Sequence, residues 1–217
     1  MKRGLDAILH AEQARYLEAL EPPRDDLLRE MEAVARARGL PISDPEVASF
    51  LAVTARARAP RLVVEVGTNI GYGAIVLARA AGPDAKVLTV ERSPDHCKTA
   101  RDYIQRAGLE GRIDVREGEA LTILGQIAGG VELAYIDCVK EEYIEYLALL
   151  VPRMAERGVI VADNVLWGGH VARAVVPESE RVRTQALRAF NTALVNHPSL
   201  RGVVLPLGDG VGYAVKI

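Results

Sequence analysis

The run "GVIVADN", residues 158–164, reads as a buried strand that ends in an acid and an amide side by side, Asp163 and Asn164. Both residue types are common where strands turn into loops, because their side chains bond to nearby backbone. The pair alone therefore does not distinguish a turn from a reactive site. The pattern returns along the chain, however. Glu65 and Gly67 stand at the end of "RLVVEVG", Glu91 closes "KVLTVE", Gly118, Glu119 and Ala120 follow "RIDVRE", and Asp137 closes "VELAYID". Each acid singly could cap the helix that follows it. So many acids at successive strand exits fit a binding site better.

Such exits meet only if the strands lie side by side, and the punctuation supports that. The strands are nearly all apolar, and they alternate with amphipathic helices near 70–81, from "SPDHCKTARDYIQRAG", near 120–128 and across 140–154. That alternation predicts a parallel sheet covered on both faces. In such open α/β sheets the ligand sits beyond the carboxyl ends of the strands. After a helix around 180–196, "RGVVLPL" and "VGYAVKI" flank "GDG", which predicts a hairpin and an antiparallel edge. Residues 1–39 read as two amphipathic helices broken at "EPPRDD".

The loop "EVGTNIGYG" narrows the ligand. Its glycines fall at 67, 71 and 73, with Glu65 two residues before the first. A dinucleotide fingerprint needs G-x-G-x-x-G to rest a pyrophosphate on helix N–H groups, and an acid there repels phosphate. This argues against a nicotinamide-linked oxidoreductase. A cationic ligand without phosphate suits the loop, and S-adenosylmethionine is one. Glu91, at the end of the next strand, can accept both ribose hydroxyls.

Composition sets the remaining bounds. The 217 residues with 49% hydrophobic content suit one domain spanning 1–217, with residues 1–40 as a helical extension. A net charge of −2 and a pI near 6.1 give no pull toward nucleic acid or a membrane surface. The start lacks an uninterrupted apolar signal region, and the two cysteines, Cys97 and Cys138, suggest neither a disulfide framework nor a zinc site. A reducing cytoplasm is the expected compartment.

Taken together, "VVEVGTNIGYGAIVLA", "VLTVERSPDHCKTAR", "GLEGRIDVREGEAL", "LAYIDCVKEEYIEYLALLVPRMAERGVIVADNVLWGG" and "LPLGDGVGYAVK" resemble the metal-dependent class I O-methyltransferases of the catechol and caffeoyl-coenzyme A type, especially small bacterial members. The resemblance runs in order from about residue 40 to the end. It implies a Rossmann-like α/β fold with a seven-stranded, mostly parallel sheet whose last strand is antiparallel. It also implies S-adenosylmethionine as methyl donor, a divalent cation (magnesium, or manganese or calcium), and a homodimer. The family's metal ligands fall on Asp137, Asp163 and Asn164. Its cofactor contacts fall on Ser43 of the entry segment, on Glu65, Gly67, Thr68, Tyr72 and Gly73, on Glu91, on Gly118, Glu119 and Ala120, and on Asp137. Lys140 matches the lysine taken as general base, with a solvated helix-start lysine as the other reading. The chain departs from the family pattern at Gly73, where serine is frequent, at Glu119, where aspartate is usual, and in reading Asp137-Cys138-Val139-Lys140.

The implied chemistry is methylation of one hydroxyl of a small vicinal dihydroxy-aromatic acceptor, with Asp137 and Lys140 in the catalytic role. Three hard oxygen donors leave coordination positions for two neighbouring hydroxyls. Trp167, the single tryptophan, lies just past the pair, where it either walls the acceptor pocket or packs. Another natural-product hydroxyl as acceptor, or a noncatalytic cofactor-binding module, stay open as alternatives. One structural expectation is sharp. In a regular strand Asp163 and Asn164 point to opposite faces, so one ion can hold both only if extended pairing stops near Asp163.

Overall fold

The structure, a computed structural model, describes residues 11–217. Residues 1–10 of the expected helical extension lie outside the described residues. The chain then runs α1 (Ala11–Ala19), α2 (Asp26–Arg38), α3 (Pro45–Arg58), β1 (Leu62–Val66), α4 (Tyr72–Ala81), β2 (Lys86–Glu91), α5 (Pro94–Arg106), β3 (Ile113–Glu117), α6 (Ala120–Gly125) and β4 (Val131–Ile136). It continues with α7 (Tyr143–Leu150), β5 (Met154–Ala162), α8 (Arg181–Asn196), β6 (Leu200–Leu205) and β7 (Val211–Lys216). The boundaries follow local chemistry. Asp25 accepts from the Leu28 N–H at 2.9 Å to start α2, and Gly39 closes that helix at φ 65°. Pro94 opens α5 behind the Ser93 cap.

The strands form one seven-stranded sheet in the order β3-β2-β1-β4-β5-β7-β6. Only β7 runs against its neighbours, pairing antiparallel with both β5 and β6. The expected hairpin is therefore present, and its second strand inserts between β5 and β6. One apolar cluster joins α2 to α5 to one face, and a second joins α6, α7 and α8 to the other. Strands between two such layers bury both faces, which is why they read as continuous apolar runs. No helix of the described residues is long and apolar enough to cross a membrane.

Two differences from the sequence reading have local causes. The helix expected across 140–154 is α7 flanked by two 3₁₀ turns, Lys140–Glu142 and Val151–Arg153. Pro152 lacks the N–H that an α-helix would use there. β5 also starts earlier than "GVIVAD", at Met154, with Arg157 at φ 60° and a register shift against β4. Only its second half pairs regularly, and that is the part with an apolar signature.

Candidate active site

The strand order reverses between β1 and β4, since β2 and β3 continue on one side of β1 and β5 on the far side of β4. The crevice of an open α/β sheet opens at such a point. A cavity of about 840 Å³ lies there, within the range of small-molecule sites. Ser43, Glu65, Gly67, Thr68, Tyr72, Gly73, Glu91, Gly118, Glu119, Ala120, Asp137, Lys140 and Asn164 all line it. Asp163 does not; it sits just behind, 2% exposed.

The β1 side of the cavity centres on Glu65, which is fully buried. Parallel register places Glu65 beside Thr89 on one side and Tyr135 on the other, so three polar side chains form a row across an apolar sheet. Thr89 donates to Glu65 Oε2 at 2.5 Å. That commits the Thr89 proton, so the 2.6 Å contact with Thr68 has Thr68 as donor. Thr68, expected as a cofactor contact, thus spends its hydroxyl on the wall that holds Glu65. Glu65 Oε1 has no partner. Burial, opposed by the Thr89 hydrogen bond and reinforced by the nearby Asp137 and Glu91 charges, pushes Glu65 up to about 8. A buried carboxylate oxygen without a donor is a vacancy for one.

The two glycines flanking Glu65 have separate reasons. Gly67 sits at φ 105°, and a methyl added there would fall on the Asp137 carbonyl oxygen. A methyl on Gly73 would fall on Glu65 Oε1. The lack of a side chain at residue 73 leaves this carboxylate oxygen its space. Glu91 accepts from the backbone N–H groups of Asn69 and Ser93, both at 2.9 Å, which fixes the carboxylate and leaves a lone pair on each oxygen. Tyr72 lines the cavity, but its hydroxyl donates to Glu32 of α2 at 2.7 Å.

Extended pairing does stop where expected. β5 ends at Ala162, and Asn164 turns into the left-handed region at φ 58°, its N–H taken by Asp163 Oδ1 at 2.7 Å. The turn brings the Asn164 side chain round toward the exit of β4. There Lys140 Nζ donates to Asp137 Oδ1 at 2.9 Å, to Asn164 Oδ1 at 2.8 Å and to the Tyr143 hydroxyl at 2.7 Å. On the other side the Tyr135 hydroxyl lies 3.2 Å from Asp163 Oδ2 and 3.5 Å from Asp137 Oδ2. The three side chains are therefore gathered around two shared groups.

The gathering bears on a metal directly. Asp137 and Asn164 already close on one cation, the Lys140 ammonium, and two carboxylates with an amide oxygen are the hard donors that magnesium takes. Among the described residues no three His, Cys, Asp or Glu side chains cluster at metal-binding spacing, so the Asn164 amide would be the third protein donor. Asp163 is pushed up to about 7, first by burial and then by the Asp137 charge. Lys140 is buried, not solvated. Burial works against its charge, yet the Tyr143 oxygen and the Asp137 carboxylate outweigh that and hold its proton more firmly than usual.

Sequence reading missed Thr89, Tyr135 and Tyr143, which look like strand or helix interior. Counting residues back from aligned strand ends would have placed the first two beside Glu65. The far wall of the cavity is Trp167 and Arg183, the guanidinium 5.7 Å from the indole centre and the indole N–H donating to Glu180 at 2.8 Å. Cys138 also lines the cavity, half-buried, its thiol pushed up by burial.

A family model described as O-methyltransferase matches residues 21–217. The chain belongs to that family. A catechol O-methyltransferase of Mycobacterium tuberculosis is 40% identical over 153 residues, 70% of this chain and 67% of the relative. Another, from Niastella koreensis, is 31% identical over 202 residues, 88% of this chain and 90% of the relative. Among solved structures the O-methyltransferase of Bacillus cereus, in complex with SAH, matches with a TM-score of 0.85 at 29% identity, covering 95% of this chain and 97% of that one. The enzyme is an S-adenosylmethionine-dependent O-methyltransferase with the seven-stranded class I fold.

Proposed function

We propose that this methyltransferase methylates one hydroxyl of a small vicinal dihydroxy-aromatic acceptor, a catechol or caffeoyl derivative, with a divalent cation held by Asp137, Asp163 and Asn164. The supporting observation is the closure of Asp137 and Asn164 on a single positive charge at the cavity wall, with Asp163 tied in through Tyr135. When bound, a divalent ion lowers the pKa of the acceptor's hydroxyls.

The protein's own part is placement. Glu65 offers an unpartnered oxygen to the cationic end of the methyl donor, and Glu91 presents lone pairs to its ribose hydroxyls. Holding donor and acceptor in line can contribute ~7–11 kcal/mol against a bimolecular barrier. Lys140 serves the acceptor hydroxyl. Its contacts with Asp137, Asn164 and Tyr143 hold the proton on Nζ, so base action requires them to be given up first. A homodimer belongs to the same reading: α1 buries no residue, and Tyr16 and Leu17 on it and Leu20 just after it are exposed.

The test combines methyl transfer from labelled S-adenosylmethionine to a panel of catechols, with and without chelator, and magnesium titration of Asp163→Ala. Turnover should require the ion, and the variant should lose at least about tenfold in ion affinity. Unchanged affinity and activity in Asp163→Ala would remove the ligand assignment.

A further inference from the structure

We infer that Tyr135 is a positioning residue that couples the cofactor's entry loop to the divalent-ion ligands through a directional hydrogen-bond relay. The inference rests on the ion assignment just given, and extends it to a residue with no assigned role.

The geometry sets the direction. Tyr135 is 1% exposed and its ring lies in the row beside Glu65. Its hydroxyl meets Ser43 Oγ at 2.8 Å and Asp163 Oδ2 at 3.2 Å. The Tyr135 hydroxyl donates to Asp163 Oδ2, and a tyrosine hydroxyl has one proton to give. Ser43 must therefore donate to Tyr135. The order Ser43 to Tyr135 to Asp163 has a consequence at each end.

At the loop end, the Ser43 proton is committed, so a side chain that lines the cavity offers only lone pairs to a ligand. It can accept from the ammonium of the methionine moiety but cannot donate to its carboxylate. At the other end, the bond holds Asp163 Oδ2 while the Asn164 N–H holds Oδ1, so the acid is fixed before an ion arrives. Ser43 reaches this place because its segment, 40–44, is anchored by Asn69 donating to the Pro41 carbonyl at 2.5 Å. A cofactor that accepts no proton from Ser43 but donates to it strengthens each successive bond in the chain. Cofactor and ion then bind with positive coupling.

The experiment follows manganese binding by electron paramagnetic resonance, with and without saturating S-adenosylhomocysteine, in wild type, Tyr135→Phe, Ser43→Ala and the double variant. In wild type each ligand should tighten the other by the same factor, about fivefold to tenfold. In both single variants each ligand still binds, the factor falls to about one, and the double variant loses nothing more. A structural role alone would weaken both ligands and leave the factor intact, which overturns the relay. Undiminished coupling in Tyr135→Phe does the same. If Tyr135→Phe does not fold, Ser43→Ala decides alone, since it leaves the Tyr135–Asp163 bond in place. Wild type that binds no manganese refutes the ion assignment and takes the relay with it; wild type that binds manganese without coupling refutes only the relay.

Discussion

The two halves of the cavity are built from different material. The half proposed to hold the cofactor stands on the ends of β1 and β2, where Glu65, Thr68 and Thr89 are 0, 2 and 0% exposed and linked by an unbroken hydrogen-bond chain. The half proposed for the acceptor stands on the connection from β5 to α8. Its Trp167–Ala172 turn buries no residue, and the backbone at Asn164, Trp167, Gly168 and Gly169 is left-handed. On the proposed reading the contrast separates what every turnover shares from what selects the substrate. A group that must be held identically each time is set on rigid strand ends, and one that can differ is set on a loop.

The strongest way to break that contrast is to strike the rigid half at its hinge. Gly67→Ala must adopt φ near 105° and place a methyl on the Asp137 carbonyl oxygen, which belongs to the neighbouring strand exit. The strain and the clash together should cost on the order of 3 kcal/mol. The melting temperature should fall by roughly 6–12 °C, with cofactor binding lost in the remaining folded protein. Calorimetry and S-adenosylhomocysteine titration check it. A stable variant with intact cofactor affinity would show that the strand exits are less tightly joined than their geometry states.

Glu65→Gln makes a smaller change in the same half and exposes its electrostatics. Glu65 is raised from 4.5 to about 8, so between those values the folded protein keeps a proton that the unfolded chain has lost. For a raised acid the sign is that stability falls as pH rises through this window. Wild type without ligand should therefore lose stability relative to Glu65→Gln between about pH 4.5 and 8. Cofactor affinity should move the opposite way, rising with pH as Glu65 becomes the carboxylate that a cation prefers. The variant should bind about tenfold to a hundredfold more weakly at pH 8, as expected for a charge-assisted hydrogen bond, and show no such slope. A slope that survives in the variant would assign the titration to another group.

The same contrast explains what could be read in advance. Strand ends were legible because parallel strands buried on both faces leave mostly apolar runs, and an acid stands at or beside each of these exits. Glu65, Glu91, Asp137 and Asp163 were found that way. The turn at Asn164 followed from requiring two adjacent side chains to serve one ion. Thr89 and Tyr135 were not seen, because their importance lies in cross-strand register, which no single segment carries. Lys140 was placed, but its burial was not, since that depends on Tyr143 and Asn164 closing over it from two other segments. Arg183 lay furthest from view: its partner Trp167 is 16 residues away across the β5–α8 connection, with no period to read.

The mildest test strikes the loop half. Trp167 is only partly buried and is held by one hydrogen bond to Glu180 and by stacking with Arg183, so its removal opens the wall without touching the sheet. An aromatic contact of this kind is worth about 0.5–1.5 kcal/mol, or about twofold to tenfold in affinity. Trp167→Ala should therefore raise the acceptor's KM by that factor and change the ranking of catechols in a panel. The affinity for S-adenosylhomocysteine and the response to pH should stay as in wild type. This split is the sharpest statement of the comparison, because the two halves share one cavity. If cofactor affinity fell in step with the acceptor's, the loop would be part of the cofactor's cradle, and the division between a shared half on strand ends and a selective half on a loop would have no basis.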